Sequence, residues 1–428
     1  MAAVRAAGQV ALTGRSYPVN APDFDPDQVA DAALELSHLL DVPLDIGLGV
    51  YVWNDAYVHQ ILAYLRREGF TGRIILGGPQ ISYTGQGLEA LYPEADVFIR
   101  GYGEEALTAV TATGERIDQE GVHWAGELDR CLQAKVDLER LPSPLLTGEI
   151  DLSGGQRFIR WETQRGCPYR CSFCQHREAG ARLKHRELDS ARLRQEIALF
   201  ARSSVDDIAV LDPIFNIGAI YLDVLHAFRE IRFAGRLSLQ CRFEAVDEAF
   251  LEACAGLNVR PEFGLQTIHP IEGRAINRPN RLEKVETVIA QLHARSIPFE
   301  VSIIFGLPEQ TLASFRETVD FCLRQRIPVV KAFPLMLLRG TELERDRARW
   351  ALEENDDPIP AVVSSSSFDA WDWGQMARLA DALTRTEWAH PADVQQLEAS
   401  ILERLELRDR WSPVRQVRGT PRVASLQV

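Results

Sequence analysis

The sequence predicts an α/β protein in which a doubly wound unit precedes a partial (β/α)6 barrel and a small C-terminal cap. Short apolar runs alternate with amphipathic segments along most of the 428 residues, which is the pattern of a βα series. An irregular stretch with Pro142 and Pro144 divides this pattern into two series. Because 428 residues exceed what one hydrophobic core usually organises, we expect domains at 1–130 and 156–340, a linker at 131–155 and a cap at 341–428.

The first series contains one well-marked helix. Asp25 can cap it, Pro26 fits its first turn, and apolar residues fall on one face up to Leu40. The runs "GLGVYVW" and "RIILGG" are nearly all apolar, as in strands that are buried on both faces of a parallel sheet. The segments of this series are Val10–Leu12, Pro26–Leu40, Ile46–Trp53, Ala56–Arg67, Ile74–Leu76 and Asp96–Ile99.

The second series contains six strand candidates with amphipathic segments between most of them, and we expect its chemistry where the strands end. The candidates are Phe158–Glu162, Ile208–Leu211, Leu237–Cys241, Glu262–Gln266, Glu300–Phe305 and Pro328–Phe333. After Gly340 the sequence is richer in charge and Trp, and the run Ser364–Ser367 predicts a flexible insert in the cap.

Composition excludes some classes of partner. The formal charge of -14 argues against a nucleic-acid partner, because such binding depends on Lys and Arg at the phosphates. No window reaches the roughly 18 apolar residues of a membrane span, so we expect a cytoplasmic protein without a membrane partner. Of the seven cysteines, four are scattered and are expected to be buried hydrophobes.

The other three cysteines form the motif "RGCPYRCSFCQHR", with Cys167, Cys171 and Cys174 at CxxxCxxC spacing after the first barrel strand. Three thiolates at this spacing can each bind one iron of a 4Fe-4S cubane and leave the fourth iron open. A structural zinc site with His176 as fourth ligand is the alternative, although structural zinc often uses paired CxxC motifs.

The motif resembles that of the radical S-adenosylmethionine (SAM) superfamily, which has an aromatic residue before the last cysteine, here Phe173. The later segments "LDPIFN", "LQCRFEAV", "FGLQTIHP", "AINRP" and "IIFGLPEQTLASF" follow in the family's order. The resemblance implies a 4Fe-4S cluster whose open iron binds SAM and whose electron cleaves it. It implies SAM contacts by Phe173, Asp212, Pro213, Arg242, Glu244, Gln266, Gly306, Leu307 and Pro308.

Several of these residues also have plain structural interpretations. Asp212 and Glu244 are residue types that often cap helices or end loops. Gly306 is a residue type that commonly ends a strand, and Pro308 is one that blocks continuation of a helix. Their joint order behind the cysteine motif favours the functional interpretation.

The N-terminal segments "GLGVYVWN", "LGGPQISYTG" and "VFIRGYGEEAL", with "PLMLLRGTEL" after the last strand, are similar to a subfamily with a Rossmann-like cobalamin-binding domain. The resemblance implies cobalamin contacts by Tyr51, Trp53, Asn54, Gly77, Gly78, Pro79, Gly101, Gly103 and Glu104. Core filling is the alternative for Tyr51 and Trp53. No Asp-x-His-x-x-Gly motif offers a histidine to cobalt, and the region before Ile46 is one βα unit short of the pattern, so a vestigial domain is a further alternative.

The resemblance implies a class B-like, cobalamin-dependent methyltransferase acting on an unactivated carbon, or on phosphorus, of a small-molecule or peptide intermediate. A flavodoxin or ferredoxin would supply the electron. A rearrangement or cyclisation, with or without cobalamin, and a non-catalytic zinc protein are the alternatives, since substrate choice lies outside the cofactor motifs.

Overall fold

A computed structural model describes residues 1–19, 21, 23–40, 44–176 and 185–401. Residues 402–428 of the predicted cap therefore lie outside the described part of the chain. None of the helices in that part is long and apolar enough to cross a bilayer.

The N-terminal unit is built around a four-stranded sheet. Its elements are α1 (Ala2–Ala7), α2 (Pro26–Leu39), β1 (Ile46–Gly49), α3 (Asp55–Arg67), β2 (Ile74–Gly77), α4 (Pro79–Ser82), α5 (Leu88–Leu91), β3 (Val97–Ile99), α6 (Gly103–Ala112) and β4 (Val122–Trp124). The order is β1-β2-β3-β4; β1, β2 and β3 are parallel, and β4 is antiparallel to β3. Asp25 caps α2 as predicted, accepting a hydrogen bond from the amide of Asp27.

Both faces of this sheet are covered. Leu76 and Phe98 belong to one apolar cluster with Leu62 of α3, while Ile75 belongs to another with Ala106 of α6. The strands nevertheless follow one another in chain order, without the reversal that marks a doubly wound sheet. The run Val10–Leu12 is not part of the sheet. The carbonyl of Leu12 accepts instead from the side chain of Arg5 in α1, at 3.2 Å.

The second unit begins after a well-packed linker, in which Ala134 forms a bridge with Gly101. Its elements are β5 (Phe158–Trp161), β6 (Gln164–Arg165), β7 (Arg186–Glu187), α7 (Ser190–Phe200), β8 (Asp207–Val210), α8 (Ile220–Glu230), β9 (Arg236–Cys241), a 3-10 turn (Phe243–Ala245), α9 (Glu248–Cys254), β10 (Val259–Gln266), α10 (Pro270–Ala275), α11 (Leu282–Ala294), β11 (Glu300–Phe305), α12 (Leu312–Arg324) and β12 (Val329–Pro334).

The order β5-β8-β9-β10-β11-β12, parallel throughout, confirms the predicted six-stranded partial barrel. Alternate side chains of each strand pack outward against the helices. Trp161 of β5, for example, lies edge-on to Phe200 of α7 and Phe228 of α8. The intervening side chains line the inner surface of the sheet, which we call the concave face. It includes Arg160, Ala209, Ser238, Gln240, Glu262, Ser302, Lys331 and Phe333.

The C-terminal segment packs on the last barrel strands. It contains α13 (Glu342–Arg345), the paired strands β13 (Glu353–Glu354) and β14 (Val362–Ser364), and α14 (Ala370–Arg385). The prediction of a flexible insert at Ser364–Ser367 is wrong. Ser364 lies in β14, and the amide of Ser366 donates to the carbonyl of Trp350 at 2.9 Å, so backbone pairing fixes this polar run.

Candidate functional site

The three cysteines lie in a loop between β6 and β7, at the carboxyl edge of the barrel sheet. Cys171 is buried and the other two thiols are half-buried. Burial, together with the neighbouring thiols of Cys171 and Cys167, raises the pKa of Cys174 to about 11. The three thiols are therefore close enough to influence one another, as ligands of one cluster must be.

Backbone hydrogen bonds hold this loop from two sides. The amide of Ser172 donates to the carbonyl of Ile276 at 2.9 Å, and its carbonyl accepts from the amide of Leu343 at 2.9 Å. The Asn277 side chain donates to the carbonyl of Arg170 at 2.8 Å. A loop with no regular structure is thus fixed by the segments that follow β10 and β12.

Among the described residues, no three His, Cys, Asp or Glu side chains converge on a position where one metal ion would bind. A structural zinc ion requires four such ligands around one point. Cubane ligands each bind a different iron and need no common point.

Arg242 and Glu244 lie beside this loop, after β9. The guanidinium of Arg242 stacks on the ring of Tyr169 at 3.8 Å, and its Nε donates to Glu244 at 3.2 Å. Asn216 fixes the Arg242 backbone through two hydrogen bonds of 2.9 and 3.0 Å. The second carboxylate oxygen of Glu244 is buried without a protein partner, so it is free for a ligand.

Gln266 also has a free polar atom at this edge. It ends β10 at a β-bulge, with φ at 66°, a left-handed conformation that is uncommon for a residue other than glycine. Its side-chain oxygen is buried without a protein partner. Phe173, in the cysteine loop, is half-buried against the barrel core.

The carboxylate of Asp212 is hydrogen-bonded within the protein, and its contact with SAM stays a prediction. Its side chain is 0% exposed, and its carboxylate accepts hydrogen bonds from the amides of Thr163 and Gln164 and from the Thr163 hydroxyl. Burial raises its pKa to about 7. Asp212 therefore ties the end of β8 to the end of β5, while Pro213 next to it is half-buried.

Gly306 to Pro308 are buried under the C-terminal segment. Gly306 has φ at 90°, and a Cβ there would lie 3.1 Å from the carbonyl oxygen of Val362. The side chain of Gln310 accepts from the amides of Gly306 and Leu307 at 2.7 and 3.2 Å. Tight packing thus accounts for this glycine, and contact with an adenine ring stays a prediction.

Three segments that follow strands of the N-terminal sheet contact the second unit. Glu104, after β3, pairs with Arg165 at 2.8 Å. Asp55, after β1, accepts from Arg339 at 2.6 Å. The Tyr83 hydroxyl, after β2, donates to the carbonyl of Gln175, next to Cys174. The carboxyl edges of the two sheets therefore face each other across the cysteine loop.

Tyr51 and Trp53 lie at this same edge. Their rings stack at 4.7 Å, both are half-buried, and neither belongs to the apolar clusters found in the described residues. The indole nitrogen of Trp53 is buried without a protein partner. The core-filling alternative is therefore wrong for this pair. The side chain of Asn54 stabilises their turn. Its oxygen accepts from the amide of Tyr51, and its nitrogen donates to the carbonyl of Gly49.

The predicted cobalamin-binding glycines make close approaches within the chain itself. A Cβ on Gly78 would lie 2.7 Å from the carbonyl oxygen of Val50, and one on Gly101 would lie 2.6 Å from that of Ala134. Both have positive φ, whereas Gly77 and Gly103 tolerate a Cβ better. Gly78→Leu would disturb this backbone packing whether or not a cofactor binds. Pro79 opens α4.

Comparison with known proteins identifies the barrel. Residues 161–322 match the radical SAM superfamily. The barrel is therefore similar to a radical SAM domain. It is 28% identical to the cobalamin-dependent radical SAM methyltransferase TokK of Streptomyces tokunonensis over 64% of this chain and 44% of the relative. It is also 28% identical to the 2-(S-pantetheinyl)-carbapenam-3-carboxylate methyltransferase of Streptantibioticus cattleyicolor, over 69% and 47%. The chain thus spans slightly under half the length of these curated relatives.

The overall fold extends the likeness to the N-terminal unit. The structure of the radical SAM methyltransferase TsrM from Kitasatospora setae, solved with cobalamin and a 4Fe-4S cluster, superposes with a TM-score of 0.63 at 17% identity. The match covers 88% of this chain and 91% of TsrM. At this identity the likeness shows a shared fold.

The residues of this radical SAM site fit the group that the family implies. Three thiols lie together, and the free oxygens of Glu244 and Gln266 suit the amino group and hydroxyls of a polar cofactor. Sequence reasoning missed Arg278, whose guanidinium lies 3.5 Å from the Cys171 sulfur, and Arg339. Arg278 lies in the motif "AINRP" and Arg339 in "PLMLLRGTEL". The motifs themselves do not indicate which of their residues makes a contact.

Proposed function

We propose that this protein is a cobalamin-dependent radical SAM methyltransferase that methylates an unactivated carbon, or phosphorus, of a small-molecule or peptide intermediate. When bound, the cluster and SAM supply reductive carbon–sulfur cleavage, and cobalamin supplies the methyl group. Methyltransferase activity is the property that the names of the two relatives above share. A flavodoxin or ferredoxin would serve as electron donor.

The main support for the proposal is that the carboxyl edges of the two sheets face each other across the cysteine loop. Contacts from Glu104, Asp55 and Tyr83 reach the second unit from three segments that each follow a different strand. Ligands of α/β sheets bind at carboxyl edges. A cofactor on the N-terminal sheet would therefore lie next to the cluster and SAM.

Each group of residues would have a separate role. Cys167, Cys171 and Cys174 would hold the cluster, while Arg242, Glu244 and Gln266 would orient SAM. The N-terminal unit would act as a Rossmann-like cobalamin domain, in which the Tyr51–Trp53 pair, 4.7 Å apart, offers an aromatic surface to the corrin. The glycines after β2 and β3 would shape the loops beneath it.

A cofactor inventory tests the proposal. We would reconstitute the anaerobic protein with iron, sulfide and hydroxocobalamin, remove free ligand by gel filtration, and measure iron, sulfide and cobalt per chain. We expect four irons, as the cubane requires, and one cobalt. Trp53→Ala should lower bound cobalt while iron is kept, whereas Trp388→Ala, at an exposed indole, should change neither. A wild type with iron but no cobalt would favour a cobalamin-free radical enzyme, and zinc without sulfide would favour the scaffold alternative.

A further inference from the structure

The concave face of the barrel is open to solvent. Gln240 lies on β9, which is paired on both sides, yet its side chain is exposed. At the carboxyl ends of the strands, Leu211 and Phe333 are 48% and 47% exposed. Large apolar side chains of a parallel sheet are normally covered. This surface is therefore available to a small molecule.

Most charged side chains on the concave face are paired within it. Glu300 accepts a hydrogen bond from Arg260 at 3.1 Å and forms an ion pair with Lys331 at 2.5 Å. Asp207 pairs with Arg236. Each of these three cations, in the part of the chain that the structure describes, therefore already has a carboxylate partner.

Arg160 is different. Its guanidinium lies 5.7 Å from the ring of Phe158, and no hydrogen bond or ion pair to it is found in the described part of the chain. Partial burial lowers the pKa of Arg160 from its ordinary value, which reflects the cost of removing this cation from water. An unpaired, partly buried guanidinium is well placed to gain an anionic partner.

The strand register leaves a space beside this cation. Arg160 is aligned with Ala209, and Ala209 with Ser238, so a small side chain separates two hydrogen-bond donors. Since neighbouring strands are about 4.8 Å apart, the outer two residues are roughly 10 Å apart at the backbone. A carboxylate or phosphate over Ala209 would be within reach of both side chains.

We propose that Arg160 and Ser238 bind a carboxylate or phosphate group of the substrate over Ala209, with its apolar part directed toward Leu211 and Phe333. The site lies within the strands, apart from Arg242 and Glu244 beyond their ends. The assignment of the anion to a substrate rests on the proposed function. The substrate class is then an anionic small molecule whose apolar portion lies nearest the cluster.

Arginine modification tests the site with inorganic phosphate and acetate as probes. We would treat the iron-loaded anaerobic protein with phenylglyoxal and follow each arginine by peptide mass spectrometry. We expect saturating phosphate or acetate to slow modification of Arg160 about tenfold, as for a hydrogen-bonded ion. Arg157, which is exposed and paired with Asp206, is the control and should show no saturable protection.

The variants Ala209→Leu and Ser238→Ala keep Arg160 but fill the space or remove the hydroxyl. We expect the first to abolish protection and the second to weaken it, with iron content unchanged. Protection by phosphate alone supports a phosphorylated substrate, and protection by acetate alone a carboxylate. No protection of wild type, or equal protection in Ala209→Leu, overturns the proposal. Displacement of the probes by SAM would also overturn it, by assigning the anion to the cofactor.

The experiment requires no turnover, so the two proposals fail separately. If the protein lacks cobalt or methylation activity but the probes still protect Arg160, the proposal of an anion site stands and the proposed function fails. If the protein holds iron and cobalt but the probes do not protect Arg160, only the proposal of an anion site is overturned.

Discussion

Arg278 Nη1 lies 3.5 Å from the sulfur of Cys171, the most buried of the three clustered thiols. Its other terminal nitrogen donates to the carbonyl of Gly264 in β10. The side chain is 9% exposed, so its charge is poorly screened by water. This arginine therefore connects a barrel strand directly to a proposed cluster ligand.

Replacing Arg278 with Met should shift the midpoint potential of the cluster to a more negative value. A cation beside a cluster sulfur stabilises the reduced, more negative state, and hydrogen bonds to sulfur act in the same direction. Redox titration followed by electron paramagnetic resonance would measure this, with Arg278→Lys expected to recover part of the shift. Arg274→Met, at an exposed arginine four residues earlier, is the control. An unchanged potential in an iron-replete Arg278→Met protein would contradict the prediction.

Replacing Cys167, Cys171 or Cys174 with Ala should remove the bound iron and abolish reductive cleavage of SAM, because each thiolate holds one iron. Iron and sulfide per chain and the amount of 5′-deoxyadenosine formed are the measurements. Cys322→Ala is the matched control, since that thiol is fully buried among core residues and burial raises its pKa to about 12. Loss of iron from the control but not from Cys171→Ala would overturn the ligand assignment.

Arg242→Ala and Glu244→Ala should weaken SAM binding by roughly ten- to a hundredfold without loss of iron, as expected when a hydrogen bond to a charged group is lost. Equilibrium dialysis with radiolabelled SAM would show this. The Arg295–Glu248 pair on the surface supplies matched control variants. Unchanged SAM affinity in both variants would remove these residues from the cofactor site.

The Arg339–Asp55 contact should stabilise the junction of the two sheets. Arg339 donates to Asp55 at 2.6 Å and to the Tyr92 hydroxyl at 2.6 Å, and the carboxylate is 15% exposed. A double-mutant cycle with Arg339→Met and Asp55→Asn should give a coupling energy of about 1–3 kcal/mol in the free energy of unfolding. The exposed Arg116–Glu127 pair should give about 0–1 kcal/mol. Equal couplings for the two pairs would mean that the junction does not depend on Arg339.

His390 should make stability fall in mild acid. Its Nε2 accepts from the amide of Val330 on the edge strand β12 at 3.2 Å, and burial lowers the pKa of the ring from 6.5 to about 4. The unfolded chain binds the proton more readily, so the stabilising contribution is complete above pH 6.5 and declines as the pH falls toward 4. His390→Gln keeps an acceptor without a titrating ring. Wild type and variant should therefore diverge in denaturant midpoint between these pH values, and parallel curves would exclude His390.

The sequence by itself determined the barrel and the placement of three cysteines in one loop. Six apolar runs with helical segments between them predict six parallel strands, and the bounds of β11 agree with the prediction. The CxxxCxxC spacing is local chemistry, since all three thiols lie within eight residues of one loop. Periodicity and local spacing are properties that a chain displays without any long-range contact.

Only the tertiary structure decided which polar residues keep a hydrogen-bonding atom without a protein partner. Nothing in the sequence distinguishes Asp212 from Glu244 as a ligand-binding carboxylate. In the structure, the Asp212 carboxylate is hydrogen-bonded to residues after β5, whereas Glu244 keeps one oxygen without a protein partner. The sequence predicts that Gly78 and Gly101 let a cofactor approach the backbone closely. In the structure, the lack of a side chain at each glycine makes room for backbone from elsewhere in the chain. Arg160 became notable only when strand register placed Ala209 beside it. Each outcome depends on partners distant in sequence, because hydrogen-bond satisfaction and close packing are settled only when those partners meet.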